Sequence, residues 1–410
     1  MRKLILSSLL FIVTLSSCET EKDELPQPSS HDYDINFQYD TPSKDIKDIE
    51  LILSQENGTI LLDTILASTK KHSLKVRTTD TKIYLTTIHY NASSNEYFIR
   101  TYVKVKAPTD WHIDEFADPS TATSQYERAK IIYNNLPPYD AGFHYMTRDP
   151  GSTRTSWSGS TLSIDYDKLL PTDVAYLLLP KYGKYILTEL TSAQTTIDFS
   201  GSSNTIKQKY NRPAGASNYM IFLNGFLTAG NYSKPLNLYW PAIAASNEYD
   251  LQYPSKGIAE FDLQVQYTAA DNSRHTYLYS GSTVPDDIDL APKAESSVIK
   301  SGYDAFSIAF GQDKPSVYST LWSFKNPEFN AKWIVYFSPD ETNFAPEAFL
   351  ANLKSQKLQG KVLSPGRLAN TFTQKAPGYS YQAFLDYQAN PDAQKKKEMK
   401  QIRKIGTYFN

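Results

Sequence analysis

The sequence predicts a mainly β fold, built as tandem β-sandwich domains with a few short helices, and three observations predict it. Apolar residues recur at every second position: Ala259, Phe261, Leu263, Val265 and Tyr267 alternate with Glu260, Asp262, Gln264 and Gln266. That is the pattern of a strand with one buried and one wet face. The chain carries 30 Tyr and 19 Phe, and aromatic and β-branched residues suit a pleated, half-buried surface. Turn chemistry separates the strands, as at Asn57-Gly58, which lies between the apolar runs 49–53 and 60–62. Asn-Gly supplies the two positive-φ positions of a tight hairpin turn.

The first unit spans residues 31–107. It holds that hairpin, a run over 83–90, and the alternating Tyr97, Ile99, Thr101, Val103 and Val105. Its strand number and length resemble immunoglobulin-like or transthyretin-like sandwich modules, so domains of that kind are expected in tandem; the resemblance is architectural and implies no site. A second mainly β unit, 108–241, opens with a predicted short helix. Here Tyr126, Ala129, Ile132 and Tyr133 fall at helical spacing ahead of Pro137-Pro138. Strands follow around 162–166, 174–179, 185–190, 196–199 and 219–227. A third unit, 242–389, contains the alternating strand described above and runs at 306–310, 318–324 and 333–337. Pro346 then opens a short helix, at the first turn where its missing N–H costs nothing. Residues 390–410 read as a basic C-terminal helix carrying Lys395, Lys396, Lys397, Lys400, Arg403 and Lys404 over a thin stripe of Met399, Ile402 and Ile405.

At the N-terminus, Arg2 and Lys3 precede an apolar stretch of about 12 residues, shorter than the roughly 20 that a helix needs to cross a bilayer. Residues 1–17 are therefore expected to be a cleaved signal peptide. Leu15-Ser16-Ser17-Cys18 resembles the lipobox of bacterial lipoproteins, which implies acylation of Cys18 and attachment to a membrane through that lipid. Cys18 is the only cysteine, so no disulfide is expected to brace the body. Residues 18–30 are polar and read as a disordered tether. Within them Lys22-Asp23-Glu24 resembles the acidic export signal of Bacteroidetes surface lipoproteins, which implies an outer-membrane protein facing outward.

The formal net charge of −2 falls to about −4 once Arg2 and Lys3 leave with the signal. That balance argues against a nucleic-acid partner. No nucleophile elbow, phosphate loop or dinucleotide fingerprint occurs, and no cofactor is implied. His112, Asp114 and Glu115 form the densest polar cluster, but a metal site needs three or four ligands gathered in space. Asp286-Asp287 and Asp340-Glu341 each follow a proline, where aspartate forms turns. No catalytic or metal-ligating residues are assigned.

The aromatics carry the binding expectation, because exposed Trp and Tyr offer flat apolar faces at low entropy cost. Trp322 and Trp333 lie in apolar strands and are expected in the core. Trp111, Trp157, Tyr239 and Trp240 stand among polar, glycine or proline residues and are the candidate ligand-binding residues. The layout resembles that of surface glycan-binding lipoproteins, which implies a non-catalytic binding protein. Polysaccharide and an outer-membrane protein are then its expected partners besides the membrane. One alternative is a structural, fimbrillin-like assembly protein, with Arg77 as the first arginine after Cys18. The other is an extracytoplasmic hydrolase with no recognisable motif.

Overall fold

In the computed structural model, residues 30–409 are described apart from 40–45, 57, 107–108, 114–124, 139–141, 149–152, 240–247, 291–293, 327–328, 364 and 390–397. The signal segment, Cys18 and most of the tether thus lie outside the described residues. Strands account for 59% of the described residues against 7% for helix, which makes the fold mainly β as the alternation requires.

Seven strands come first: β1 (His31–Tyr39), β2 (Asp48–Ser54), β3 (Ile60–Ala67), β4 (His72–Thr78), β5 (Lys82–Asn91), β6 (Glu96–Lys106) and β7 (Thr109–Ile113). They form two packed layers, β4-β1-β7 against β3-β2-β5-β6, with Ile35, Phe37, Leu51, Leu53, Leu85 and Trp111 between them. The expected hairpin joins β2 to β3. Its loop takes residues 55–59 rather than two: Gln55 N donates to Thr59 O at 2.8 Å and Gly58 N to Gln55 O at 3.0 Å, with Gly58 at φ +86°. Asn57 is outside the described residues. Ile52, between Leu51 and Leu53, packs into a different core on the opposite face of the sheet. β2 is thus buried on both sides, which explains its unbroken apolar run.

The next strands are β8 (Tyr126–Asn134), β9 (His144–Thr147), β10 (Arg154–Ser158), β11 (Thr161–Leu169), β12 (Asp173–Leu179), β13 (Lys184–Leu190), β14 (Gln194–Asp198), β15 (Ser203–Asn211), β16 (Ser217–Phe226), β17 (Leu236–Tyr239) and β18 (Glu248–Pro254). The helix expected over 126–133 is strand β8. Ala129, Ile131 and Tyr133 are buried on one face and pair with Tyr166, Ile164 and Leu162 of β11. With Ile131 and Ile132 adjacent, either period fits locally, and the partner strand selects period two. The sheet β10-β11-β8-β14 covers one face of the sheet β18-β15-β13-β12-β9 through Leu177 and Leu179. Tyr176, Leu178 and Tyr185 cover the other face, packing on β16 and its neighbours.

The last elements are β19 (Glu260–Thr268), β20 (Arg274–Gly281), β21 (Ser296–Ser301), β22 (Phe306–Phe310), β23 (Val317–Asn326), β24 (Phe329–Phe337), β25 (Asn343–Phe344), α1 (Pro346–Asn352), β26 (Arg367–Lys375), α2 (Tyr381–Ala389) and β27 (Gln401–Tyr408). α1 begins at the anticipated proline, whereas α2 had no counterpart in the sequence reading. The basic helix expected at the C-terminus is replaced over 401–408 by β27, which pairs with both β20 and β26; residues 390–397 lie outside the described set. One twelve-stranded sheet, ordered β17-β16-β19-β20-β27-β26-β23-β24-β6-β5-β2-β3, runs through strands from all three expected units. Its pairings β16–β19 and β6–β24 cross the divisions drawn at 241/242 and 107/108.

Trp322 and Trp333 are fully buried, as expected. Trp333 stacks on Phe349 of α1 at 5.8 Å and donates Nε1–H to Thr101 Oγ1 at 3.0 Å, which ties β24 to its parallel neighbour β6. Trp111 is also core. It is 1% exposed and meets the ring of Tyr102 at 4.8 Å and 65°. Trp111→Ala is therefore expected to lower stability by about 3–5 kcal/mol, read from urea unfolding. A change under about 1 kcal/mol would contradict this placement.

Candidate ligand-binding face

Strands β16, β19, β20, β27 and β26 lie side by side in the large sheet. Alternation sends Ile221, Leu223, Leu263, Val265 and Tyr277 into the core beneath. The opposite face keeps the residues between them. Met220, Gln266, Thr276 and Lys404 are successive register partners across it, and Thr268, Arg274, Gly406 and Phe372 form the next row. These two rows floor an open hollow of about 470 Å³.

Two aromatic rings stand in this hollow. Phe372 and Tyr408 are 38% and 43% exposed, with centroids 5.9 Å apart and planes at 88°. Their positions follow from a glycine. A Cβ on Gly406 would come within 2.5 Å of a ring carbon of Phe372, so the ring lies over the bare backbone of the neighbouring strand. The Arg274 guanidinium sits 4.7 Å from the centroid of Tyr408, a cation–π contact that steadies the ring while leaving N–H donors at its edge. Asn218 adopts φ +50° at a break in the β16–β19 register and reaches Thr268 Oγ1 with Nδ2 at 3.4 Å. A bulge of this kind re-aims a side chain at the rim of a sheet.

Along the same face a smaller hollow continues over Phe222, Gln264, Leu278 and Ile402. There Ser280 Oγ donates to Asp262 Oδ1 at 2.6 Å. Below the face His275 is 8% exposed, stacks on Tyr267 at 4.8 Å and lies 2.8 Å from Ser273 Oγ. Burial pushes its pKa below the usual histidine value, against the pull of Asp271 and Glu295. The whole arrangement offers two aromatic faces ringed by amide, hydroxyl and guanidinium groups. None of the described residues lining the larger hollow is a carboxylate.

Of the four aromatics singled out in the sequence, the three that are described, Trp111, Trp157 and Tyr239, are not among the residues lining this hollow. Trp111 is corrected to a core residue. Trp157 is half-buried on β10, 5.7 Å from Phe143, with Nε1 donating to Gly159 O at 2.9 Å. Tyr239 is half-buried on β17 and packs against the core under β16. Trp240 lies outside the described residues, as do Asp114 and Glu115. Arg77 stands in β4 and donates from Nε to Ser30 Oγ at 2.9 Å. Among the described residues no group of three His, Cys, Asp or Glu side chains is placed to hold a metal ion.

No pattern in the sequence marks this face, because the strand that supplies Phe372 departs from the usual register. In Thr371-Phe372-Thr373 the threonines take the buried register, each 2% exposed, and the aromatic takes the wet one. That inverts the usual assignment and leaves Phe372 as a surface ring. No protein-family model and no curated protein matches this sequence.

Proposed function

We propose that this protein is a lipid-anchored outer-membrane surface lipoprotein that binds a glycan without transforming it, on the open face of β16, β19, β20, β27 and β26. The exposed Phe372–Tyr408 pair, ringed by Arg274, Gln266 and Thr268, carries the reading. Pyranose rings present one apolar C–H face and a girdle of hydroxyls. An aromatic platform with planar polar side chains at its edge complements both. The anchor reading is supported by Leu15-Ser16-Ser17-Cys18 and by Lys22-Asp23-Glu24.

The test is retention of the chain from Glu19 to Asn410 on polysaccharide affinity gels and glycan arrays, with Phe372→Ala/Tyr408→Ala and Trp157→Ala beside it. The double variant is expected to lose about 2 kcal/mol of binding, roughly thirtyfold in Kd, while Trp157→Ala binds as the parent does. Absence of retention on every neutral and acidic polysaccharide would sink the glycan reading and leave an assembly role.

A further inference from the structure

The hollow on the Phe372 face is lined by Arg274, Lys404 and His275, and by no carboxylate among the described residues. Lys404 is already engaged, and His275 is buried with its ring 2.8 Å from Ser273 Oγ. The open cation is therefore Arg274. It is exposed on β20 with its guanidinium against the Tyr408 ring, and among the described residues it has no ion-pair partner.

Strand register leaves it so. Elsewhere a cross-strand neighbour neutralises an exposed arginine: Arg128 on β8 stands opposite Asp167 on β11 and pairs with it at 3.0 Å. Opposite charges placed this way stabilise a ladder. Arg274 stands instead between Thr268 on β19 and Gly406 on β27, with a hydroxyl on one side and no side chain on the other. Asp271, close in sequence, accepts from Ser273 Oγ at 2.6 Å and Ser273 N at 2.9 Å, and those bonds hold its pKa below its ordinary value. Asp262 shares the face but lies about 20 Å along β19 from Thr268, at about 3.4 Å per residue. It accepts from Ser280 Oγ there.

The surroundings of Arg274 suit one acid group attached to a sugar ring. Phe372 pairs in register with Gly406 and leans over it: a Cβ there would come within 2.5 Å of Phe372 and 3.4 Å of Tyr408. Arg274, Phe372 and Tyr408 thus border one patch of bare backbone. A sugar laid with its apolar face on these rings brings a substituent at its edge to the guanidinium. That fork is planar and fixed in shape, and a carboxylate meets it with two parallel hydrogen bonds. Asn218, Gln266 and Thr268 supply partners for the hydroxyls.

We propose that the ligand of this face is an acidic glycan, a chain containing uronic acid residues, and that Arg274 binds the uronate carboxylate. The carbohydrate scaffold rests on the glycan reading above; the preference for a carboxylate over a neutral sugar rests on Arg274.

The experiment places the chain from Glu19 to Asn410 on a glycan array of matched pairs, each uronate-bearing oligosaccharide beside its methyl ester, which keeps the sugar and removes the charge. Sulfated oligosaccharides form a third arm. Calorimetry then gives Kd for the retained pairs with the parent, Arg274→Gln and Phe372→Ala/Tyr408→Ala. Arg274 is exposed, and unchanged thermal unfolding confirms that its variant folds. The parent is expected to bind at least one uronate about tenfold more tightly than its ester. Arg274→Gln is expected to bind the two members alike, and the aromatic variant to weaken both about thirtyfold. Equal binding of acid and ester by the parent, with both weakened in the aromatic variant, would overturn the proposal and leave the glycan reading standing. A preference for the acid that survives Arg274→Gln would overturn it as well, as would tighter binding of the sulfated probes than of any uronate. Retention of no probe at all would overturn both.

Discussion

Acidification from pH 7 to pH 5 is expected to strip about 2 kcal/mol of stability from this protein through His89 alone, and two further buried histidines act in the same direction. His89 is 3% exposed and stacks on Phe98 at 5.3 Å. Burial first, and then the nearby charges of Arg100 and Lys357, lower its pKa from 6.5 to about 3. His144 is lowered by burial against a hydrogen bond to Asn237 O, and His275 by burial against Asp271 and Glu295. In each the folded value lies below the unfolded one, so the unfolded chain binds more protons and stability rises with pH. The contribution is complete above about pH 6.5 and is lost as pH falls, for His89 down to about pH 3. For His89 alone the full span is on the order of 5 kcal/mol, at about 1.4 kcal/mol per pH unit. Glu50 acts in the opposite sense. Its folded pKa is raised from 4.5, chiefly by burial, so its contribution is present below about pH 4.5 and is lost as pH rises through the folded value. Urea unfolding from pH 5 to 8 separates the two. His89→Gln is expected to flatten the slope by about one proton, and an unchanged slope would refute the assignment.

Glu50 carries the second large expectation. It is fully buried on β2 and gathers three donors from a segment 305 to 307 positions away: Ser355 Oγ at 2.6 Å, Gln356 N at 2.6 Å and Lys357 N at 3.0 Å. Ser355 Oγ in turn accepts from Leu358 N at 3.1 Å, and Leu353 and Leu358 close the core above the sheet. One carboxylate therefore pins the turn that follows α1 onto the strand that opens the large sheet. Glu50→Ala would leave those donors buried without an acceptor, at about 1–3 kcal/mol each before relaxation. A net loss of about 3–5 kcal/mol is expected in urea unfolding, and hydrogen exchange at Gln356 and Lys357 should lose protection ahead of β2 itself. A cost under about 1 kcal/mol would mean that water replaces the carboxylate.

Much of the strand content was readable because alternation is a local property. Residues 259–267 show period two without help from partners, and they form β19 as read. β8 and β27 were misread because their local spacing admits both periods: Ile131-Ile132 and Ile402 to Ile405 satisfy a helical stripe as well as a strand. The choice is made by Leu162 and Ile164 against β8, and by β20 and β26 against β27. The candidate face was illegible for a related reason. Arg274, Phe372 and Tyr408 are scattered over more than a hundred positions, and only strand order and register place them together. Trp111 was misjudged by its polar neighbours Asp110 and His112. In a strand successive positions belong to opposite faces, so the polarity of sequence neighbours says nothing about the burial of Trp111.

β27 lies between β20 and β26 and hydrogen-bonds to both. A chain emerging N-terminus first therefore completes eleven strands of the large sheet as two open halves, each ending in a bare edge, before the strand that joins them arrives. Until then β20 and β26 are templates for any passing extended peptide. Arrival of β27 covers both edges at once, so a newly made copy that has not yet placed its last strand is the form exposed to pairing with a neighbour.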